Sequence, residues 1–372
     1  MKTEFDSILT KVKQYLVLEG VSEFIVDLYL ATSLSLESER PVWVMIVAPP
    51  SSGKTELISL VDQLPHYHPL HNLSTRTLFS SHPAAGGGYM IREVGAKGLL
   101  VFPDFTTILS QDSKARNPIF NQLRIIFDGC ASQGSGIDSG AIREWRGKVA
   151  IIATVTEAIE RIKESQSDLG ERFLYYSFKP SEINFAQLET LNQSIDLKNE
   201  VGLVVCDYLK NCKEELLQTD ISKEINEKLF SIARFIGIGR TTVERDGTSR
   251  SVVNTHEPER PFRVHKLLQS LYSSLLVVNG DSNRSLKIIQ GVAKSSLSKQ
   301  RLVAIAYTYF AKEKSDFNCF VSSMNVSDSK VRRVLEDLIR LSVISVEVEE
   351  KKQFFKMTDK FRSIAESVLE IT

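Results

Sequence analysis

The sequence of 372 residues contains few cysteines, no excess of either charge and no long hydrophobic run. Its cysteines form no CxxC pair, which argues against a disulfide framework or a zinc site and favours a reduced, cytoplasmic setting. They are Cys130, Cys206, Cys212 and Cys319. No apolar stretch is long enough to span a bilayer, and the first sixteen residues carry acids where an export signal would be apolar. We therefore expect no membrane partner.

Positive and negative side chains balance, with 46 Lys and Arg against 46 Asp and Glu. Overall charge therefore indicates neither nucleic acid nor any other polyanion as a partner, and a basic surface has to be local. The length fits two or three domains of about 100–200 residues each.

Short apolar runs alternate with helical patterns up to about residue 180, which is typical of buried parallel strands in an α/β fold. The runs are PVWVMIV (41–47), GLLVFPDF (98–105) and KVAIIATV (148–155). Helical spacing of apolar residues predicts two helices before them, the second over 24–34. From 185 to 278 the pattern is mostly helical, interrupted by a polar segment (240–254) with a turn at Asp246-Gly247.

These patterns predict four parts: a helical lead-in (1–38), an α/β nucleotide-binding core (39–182), a helical lid (183–298) and a small C-terminal domain (299–372).

The loop after the first predicted strand matches the phosphate-binding motif GxxxxGK[ST], except that an alanine replaces the first glycine. Its members are Ala48, Pro49, Pro50, Ser51, Ser52, Gly53, Lys54 and Thr55. In such a loop backbone N–H groups and Lys54 hold the phosphates of ATP, while the Thr55 hydroxyl binds Mg²⁺. Gly53 is expected to leave room for a phosphate, and a helix is expected to begin at Glu56.

Asp104 follows the second predicted strand, where a nucleotide fold needs a carboxylate for Mg²⁺. Many such ATPases carry Asp-Glu at this point, and the glutamate polarises the attacking water. Here Phe105 follows, so Asp104 is either the metal-side acid or the residue in the glutamate's place. Either hydrolysis is slow, or another carboxylate such as Glu93 or Asp128 completes the site.

Residues 40–300 resemble the AAA+ ATPases, and within them the minichromosome-maintenance and superfamily 3 branch of replicative helicases. Helicase-like ATP-binding proteins of phages and mobile elements are especially similar. The resemblance rests on PPSSGKTE, FPDFTTILS, LRIIFDG…WRGKVAIIATVT and DLGERFLYY. It implies a P-loop AAA+ domain that hydrolyses ATP in a homo-oligomeric ring, usually a hexamer, with ATP between neighbouring subunits.

The same resemblance implies roles for residues outside the loop. Arg172 matches the arginine finger that reaches the γ-phosphate of the adjacent subunit's ATP. Thr154 or Thr156 matches the first sensor, and the two are not separable from the sequence. Arg263 is our choice for the second sensor, with Arg260 as the rival.

Residues 128–148 have a Gly/Ser-rich tip flanked by Arg143, Arg146 and Lys148, which suits a mobile hairpin. In the resembled branch a hairpin at this point tracks DNA in the ring channel; the other interpretation is a surface loop. Trp145 is either a base-stacking residue or part of the core. The segment 82–90 is a candidate second channel loop.

From residue 299 the pattern reads helix, short helix, amphipathic helix (328–341) and β-ribbon, which resembles a winged helix-turn-helix domain. As a DNA-binding domain it would place Ser329, Lys330 and Arg333 in the major groove, with the wing residues on phosphate. Those wing residues are Lys351 and Lys352. The competing interpretation is protein docking, because acids crowd the wing.

Two functions follow from these features. The first is an ATP-driven DNA motor, a helicase or helicase-like ATPase that acts on single-stranded or forked DNA in phage or mobile-element replication, together with replication partner proteins. The second is a nucleotide-switched regulator or loader that assembles on DNA without processive unwinding, and the missing glutamate favours it.

Overall fold

The computed structural model describes residues 2–74, 76–80, 86–134, 142–160, 172–180, 182, 185–191, 194–311, 314–350 and 352–370. The chain divides into two compact units. The first comprises Met1–Ile159, Glu171–Asp220 and Ser270–Ser285; the second comprises Glu160–Gly170, Ile221–Gln269 and Leu286–Thr372. The segment 183–298, which we expected to form a lid, therefore contributes residues to both units.

The first unit is built on a five-stranded parallel sheet. Its strands are β1 Trp43–Val47, β2 Tyr67–Pro69, β3 Lys97–Phe102, β6 Lys148–Val155 and β7 Leu174–Ser177, and an antiparallel hairpin consists of β4 Cys130–Gly134 and β5 Ile142–Arg146. The sheet order is β2-β3-β6-β1-β7, with every neighbouring pair parallel. The three predicted apolar runs form β1, β3 and β6, so the mixed α/β class is confirmed.

Helices surround this sheet. They are α1 Lys2–Val12, α2 Phe24–Leu34, α3 Thr106–Leu109, α4 Ser113–Asp128, α5 Phe185–Thr190 and α6 Ile195–Gln218. The two predicted N-terminal helices are α1 and α2, and ten of the eleven residues of α2 are buried. A helix that is buried nearly all round belongs to the interior, so the lead-in is part of the first unit rather than an appendage.

The core of the first unit centres on Trp43 at the start of β1. Its indole N–H donates to the carbonyl of Val149 at 2.8 Å, and its ring lies 5.1 Å from Phe127 of α4 and 5.2 Å from Phe173. Aromatic rings at these separations add about 0.5–1.5 kcal/mol per pair beyond the area they bury. The cluster therefore holds α4 and the start of β7 against β1.

The second unit contains α7 Lys223–Gly239, the hairpin β8 Val243–Arg245 with β9 Val252–Thr255, and parts of α8 Phe262–Asn279 and α9 Ser282–Ser296. The turn predicted at Asp246-Gly247 joins β8 and β9. Asp246 Oδ1 accepts the N–H groups of Thr248 at 3.0 Å and Ser249 at 2.6 Å, which closes the turn.

The remaining residues of the second unit follow the predicted order of helices and ribbon. They form α10 Lys299–Phe310, β10 Ser315–Asp316, α11 Phe317–Met324, α12 Asp328–Arg340, β11 Ile344–Glu349, β12 Lys352–Met357 and α13 Asp359–Leu369. The three strands pair antiparallel in the order β10-β12-β11. In α12 the predicted apolar face is buried: Val331, Val334, Leu335 and Leu338.

None of the helices within the described ranges combines the length and the apolar character that crossing a membrane requires.

A buried ion pair joins distant segments of the first unit. The Asp27 carboxylate of α2 is fully buried and accepts hydrogen bonds from Arg284 Nη2 at 2.7 Å, from Arg284 Nε at 3.0 Å and 3.2 Å, and from Asn279 at 2.8 Å. Burial raises the pKa of Asp27, and the bonds from Arg284 act against this rise. The Arg284 guanidinium also lies over the rings of Phe24 and Phe5. The first unit therefore depends on a residue far along the chain.

We expect Arg284→Met to destabilise the first unit by about 3–5 kcal/mol, because it leaves the Asp27 carboxylate buried without its partner. Both tryptophans of the sequence, Trp43 and Trp145, lie in this unit, so urea unfolding followed by tryptophan fluorescence reports on it. The exposed pair Lys2–Asp281, 3.5 Å apart, provides the control: Lys2→Ala should cost less than about 1 kcal/mol. Equal losses of unfolding free energy in the two variants would contradict the role of Arg284 as the partner of the buried Asp27 carboxylate.

Candidate functional site

The carboxyl ends of β1, β3 and β6 meet at one edge of the sheet. β6 lies between the other two, with Val155 opposite Val47 and Ala153 opposite Phe102. The Ala48 N–H donates to the Val155 carbonyl at 3.2 Å, which continues this pairing into the 48–55 loop. Ligands of open α/β sheets bind in the crevice outside such strand ends. The 48–55 loop, Asp104 and Thr156 therefore share an edge.

Lys54 is folded into its own loop, with only 8% of its surface exposed. Its ammonium donates to the carbonyls of Ala48 at 2.8 Å and Pro49 at 2.6 Å, and to the Ser52 hydroxyl at 3.1 Å. Burial lowers the pKa of Lys54, while the Asp104 carboxylate acts in the opposite direction. Because all three hydrogen-bond acceptors are neutral, the positive charge has no direct ion pair within the described residues.

Along the 48–55 loop, the backbone angle φ alternates between positive and negative values from Ser51 to Lys54. Ser51 has φ 58° and Gly53 has φ 78°, whereas Ser52 and Lys54 have negative φ. Successive N–H groups in such an alternation point inward and make an anion-binding concavity. This conformation fits a phosphate group.

Gly53 packs against Leu16, a contact that the sequence did not predict. A Cβ at this position would lie 2.7 Å from Leu16 Cδ1, so the side facing it is filled by the N-terminal segment and not left open for a phosphate. The left-handed φ gives a second reason for glycine.

Two further elements support the loop. The buried Tyr29 hydroxyl of α2 donates to the Lys54 carbonyl at 2.9 Å. On the other side, α6 comes so close that a Cβ at Gly202 would lie 2.9 Å from the Ser59 carbonyl. Sequence reasoning missed both contacts, because no local pattern marks a tyrosine or a glycine inside a helix as a neighbour of this loop.

A helix does begin at Glu56, as predicted, but it is a 3₁₀ helix rather than an α-helix. Glu56–Leu60 is a short 3₁₀ helix, in which the N–H of Ile58 bonds to the carbonyl of Thr55. β-branched Ile58 and Val61 favour helix weakly, and Pro65 disfavours helical conformation in the residue before it. The loop is therefore followed by one tight turn rather than by a long helix dipole.

Asp104 is exposed, and its Oδ1 accepts the N–H of Thr106 at 2.9 Å, which starts the turn after β3. The following Phe105 is fully buried and cannot act as a base. Glu93 lies just before β3, and Asp128 lies just before β4, whose Cys130 pairs with Arg146 next to the start of β6. Both carboxylates are therefore at the amino-terminal edge of the sheet, away from the loop of their own chain.

The described residues contain no group of three or more His, Cys, Asp or Glu side chains that could hold a metal ion by themselves. The exposed Thr55 hydroxyl and the exposed Asp104 carboxylate are two oxygens at this edge of the sheet. Mg²⁺ commonly binds through one or two protein oxygens together with phosphates of the ligand. This pair of residues fits that mode of binding.

The two sensor candidates on β6 differ in position. Thr154 is 2% exposed, and its hydroxyl donates to the Pro103 carbonyl. Thr156 follows the strand and is half-buried, and its N–H donates to Thr106 Oγ1 at 3.4 Å. Thr154 therefore positions the turn that carries Asp104, whereas Thr156 lies at the edge itself.

Arg172 lies at the opposite edge of the sheet. It precedes β7, whose Leu174 pairs with Val44 near the start of β1, and its guanidinium lies 5.6 Å from the Phe127 ring. β1 spans five residues, so this edge is roughly 16 Å from the 48–55 loop. Arg172 cannot reach the loop of its own chain.

The β4–β5 hairpin lies at the same edge as Arg172. Arg146 is exposed, Arg143 is half-buried, and Lys148 donates to the Ser38 carbonyl at 2.9 Å. Trp145 is 4% exposed and its indole donates to the Gly95 carbonyl at 2.6 Å, so it belongs to the core. The predicted glycine-rich tip (135–141) and part of the second channel loop (82–85) lie outside the described residues.

Arg263, Arg260 and the winged-helix candidates belong to the second unit. Arg263 lies at the start of α8, 3.7 Å from Glu259, and Arg260 is exposed. Lys330 and Arg333 are half-buried on α12, and Lys352 is exposed at the start of β12. Lys351 lies outside the described residues.

The chain matches no protein-family model, and a comparison with curated proteins gave no match.

Gly53→Ala is expected to destabilise the first unit by about 1–2 kcal/mol from the left-handed φ alone, with an added cost from overlap with Leu16. The double variant with Leu16→Ala should relieve the overlap and regain the stability lost to it. It should still carry the cost of the left-handed φ. Ser51→Gly is the matched control: at φ 58° it should be neutral or stabilising. Urea unfolding followed by tryptophan fluorescence measures all three, and a harmless Gly53→Ala would contradict this account of the loop.

Trp145→Phe should destabilise the first unit by about 1–3 kcal/mol, because the Gly95 carbonyl loses its buried donor. If the protein binds DNA, the affinity should stay unchanged, since a core indole does not reach a base. Circular dichroism and fluorescence anisotropy with a labelled oligonucleotide separate the two effects. A folded variant with weakened DNA binding would instead make Trp145 a stacking residue.

Proposed function

We propose that this chain is an ATP-dependent DNA motor, a helicase-like P-loop AAA+ ATPase that acts as a ring of identical copies in phage or mobile-element replication. The observation that carries the proposal is the geometry of Lys54. Its charged ammonium is held inside a loop of alternating φ at the carboxyl edge of a parallel sheet, close enough to Asp104 for their charges to interact.

The residues around the loop suit Mg²⁺ and ATP in distinct ways. Backbone N–H groups of Ser51 to Lys54 would hold phosphate oxygens, and Thr55 and Asp104 would hold the metal. When bound, ATP supplies the phosphoanhydride bond whose hydrolysis releases free energy. Lys54 would exchange the carbonyls of Ala48 and Pro49 for phosphate oxygens, and such charge-assisted bonds are roughly twice as strong as neutral ones.

The position of Arg172 supports assembly into a ring. An arginine finger meets negative charge as it develops in the transition state and is worth about 10³–10⁵ in rate. Because Arg172 and Lys54 lie at opposite edges of the sheet, Arg172 can act in this way only on the loop of a neighbouring copy.

The second candidate function is a nucleotide-switched loader that assembles on DNA with little turnover. One observation favours it: Asp104 is the only acid directly after β3, and both alternative carboxylates lie at the other edge of the sheet. Without a positioned base the attacking water is poorly activated, so ATP would act mainly as a switch.

The C-terminal residues 299–370 support DNA contact through a winged helix, since their order of helices and hairpin fits that fold. The acidic residues of the β11–β12 hairpin are the reason to consider protein docking instead. Glu347 and Glu349 both pair with Lys314, and their repulsion of phosphate is correspondingly reduced.

Lys54→Ala and Arg172→Ala should each abolish ATP turnover, because each removes one half of a site shared by two subunits. A mixture of the two inactive variants should recover part of the activity, since one variant supplies the intact loop and the other the intact arginine. Phosphate release measures this recovery. The control is a mixture of Lys54→Ala with the double variant, in which no shared site is complete. A mixture as inactive as the control would contradict action between subunits.

The motor and the loader differ in what DNA does to turnover. A motor should show DNA-stimulated ATP hydrolysis and strand separation on forked DNA, both lost in Lys54→Ala. A loader should assemble on DNA in an ATP-dependent way and turn over slowly. An ATPase indifferent to DNA, with no strand separation under any loading condition, would rule out the motor.

A further inference from the structure

The second unit contains a cleft of about 590 Å³ between the β8–β9 hairpin and α12. This volume is within the range of about 300–1,000 Å³ that is usual for ligand sites. Six cationic and two acidic side chains line it, although the whole chain has no net charge. The cations are Arg240, Arg245, Arg250, Arg301, Lys330 and Arg333, and the acids are Glu244 and Asp337.

Some of these cations hold the walls of the cleft together. Asp337 of α12 accepts hydrogen bonds from Arg245 at 2.7 Å and Arg301 at 3.0 Å, and Arg245 also pairs with Glu336 at 2.8 Å. Arg240 pairs with Glu259. These contacts fix the hairpin against the helix, so the cleft has a defined shape.

Arg250 and Arg333 face the cleft from opposite walls. The Arg333 Nε–H donates to the Ser329 carbonyl at 3.1 Å within α12. Within the residues that the structure describes, neither arginine forms a salt bridge, in contrast to Arg245 and Arg301. Both guanidinium groups therefore have donors to offer to an anion.

The backbone of Arg250 gives a second, independent reason to assign a role to this wall. Arg250 has φ 61°, a left-handed conformation that glycine adopts without cost, yet the chain carries an arginine there. The conformation is held from both sides: the Arg250 N–H donates to the Asp246 carbonyl at 3.1 Å, and its own carbonyl accepts from Arg245 at 3.0 Å. Residues kept in such conformations concentrate at binding and catalytic sites.

We propose that this cleft binds the phosphodiester backbone of a DNA strand, which is held between the β8–β9 hairpin and α12. The inference rests on the DNA-binding part of the proposed function and makes it more specific. Arginines on two facing walls suit successive phosphates, and the hydroxyls of Thr242 and Ser298 add further phosphate donors. Lys330 and Arg333 then contact the DNA backbone rather than the bases, so binding is independent of DNA sequence. Arg250 of the hairpin becomes part of the same interface.

The test measures the affinity of the full-length protein for a fluorescein-labelled oligonucleotide, single-stranded or duplex, by anisotropy over a range of salt concentrations. The variants are Arg250→Gly, which also relieves the left-handed φ, and Arg333→Gln. Each should lose one phosphate contact, which lowers the slope of log affinity against log salt by about 0.7–0.9 and weakens binding about fivefold at 0.1 M salt. Arg340→Gln, exposed in the last turn of α12 and not part of the cleft lining, is the control and should bind as the wild type does.

The outcomes separate this inference from the proposed function. Wild-type DNA binding that Arg250→Gly and Arg333→Gln leave unchanged, or that Arg340→Gln weakens equally, overturns the cleft and leaves the motor standing. A wild-type protein that binds no DNA with or without Mg·ATP overturns both. Calorimetric binding of inorganic phosphate or a free nucleotide that requires Arg250, with DNA affinity unaffected, would assign the cleft to a small anion and also overturn the inference.

Discussion

The hydrogen bonding of β6 between β1 and β3 is the constraint on which the candidate site depends. Val155 pairs with Val47 and Ala153 with Phe102, so the loop after β1 and the turn after β3 start side by side although about 55 residues separate them in sequence. Thr154 strengthens this arrangement through its bond to the Pro103 carbonyl. A change in the register of β6 would move Asp104 away from Lys54 and separate the two charges.

The sequence predicted the three central strands well because each is a buried apolar run, and burial on both faces leaves a strong signal. It gave no signal for β2, which contains Pro69 and is only half-buried, or for β7, which is four residues long. Edge strands are short and tolerate proline, so their composition resembles that of loops. The sequence predicted the start of the helix at Glu56 but not its 3₁₀ type, because its apolar residues are spaced for burial in either a 3₁₀ or an α-helix.

The motif identified the 48–55 loop, and the strand that precedes Asp104 identified the acid, since both signals are local. The support from Tyr29 and Leu16, the distinction between Thr154 and Thr156, and the separation of Arg172 from the loop all arise from contacts between distant segments. The basic cleft likewise joins a hairpin and a helix about 80 residues apart. No spacing rule applied to one sequence can supply such contacts, because they depend on how whole elements pack.

The pairing of Asp27 with Arg284 spans 257 residues and has a consequence for synthesis on the ribosome. At about 5–20 residues per second, Asp27 emerges tens of seconds before its partner, and the chain of the second unit between residues 221 and 269 is made in the meantime. During that interval the Asp27 carboxylate of α2, which is buried in the folded chain, lacks its arginine partner. The first unit therefore cannot complete its fold until residue 284 has been made.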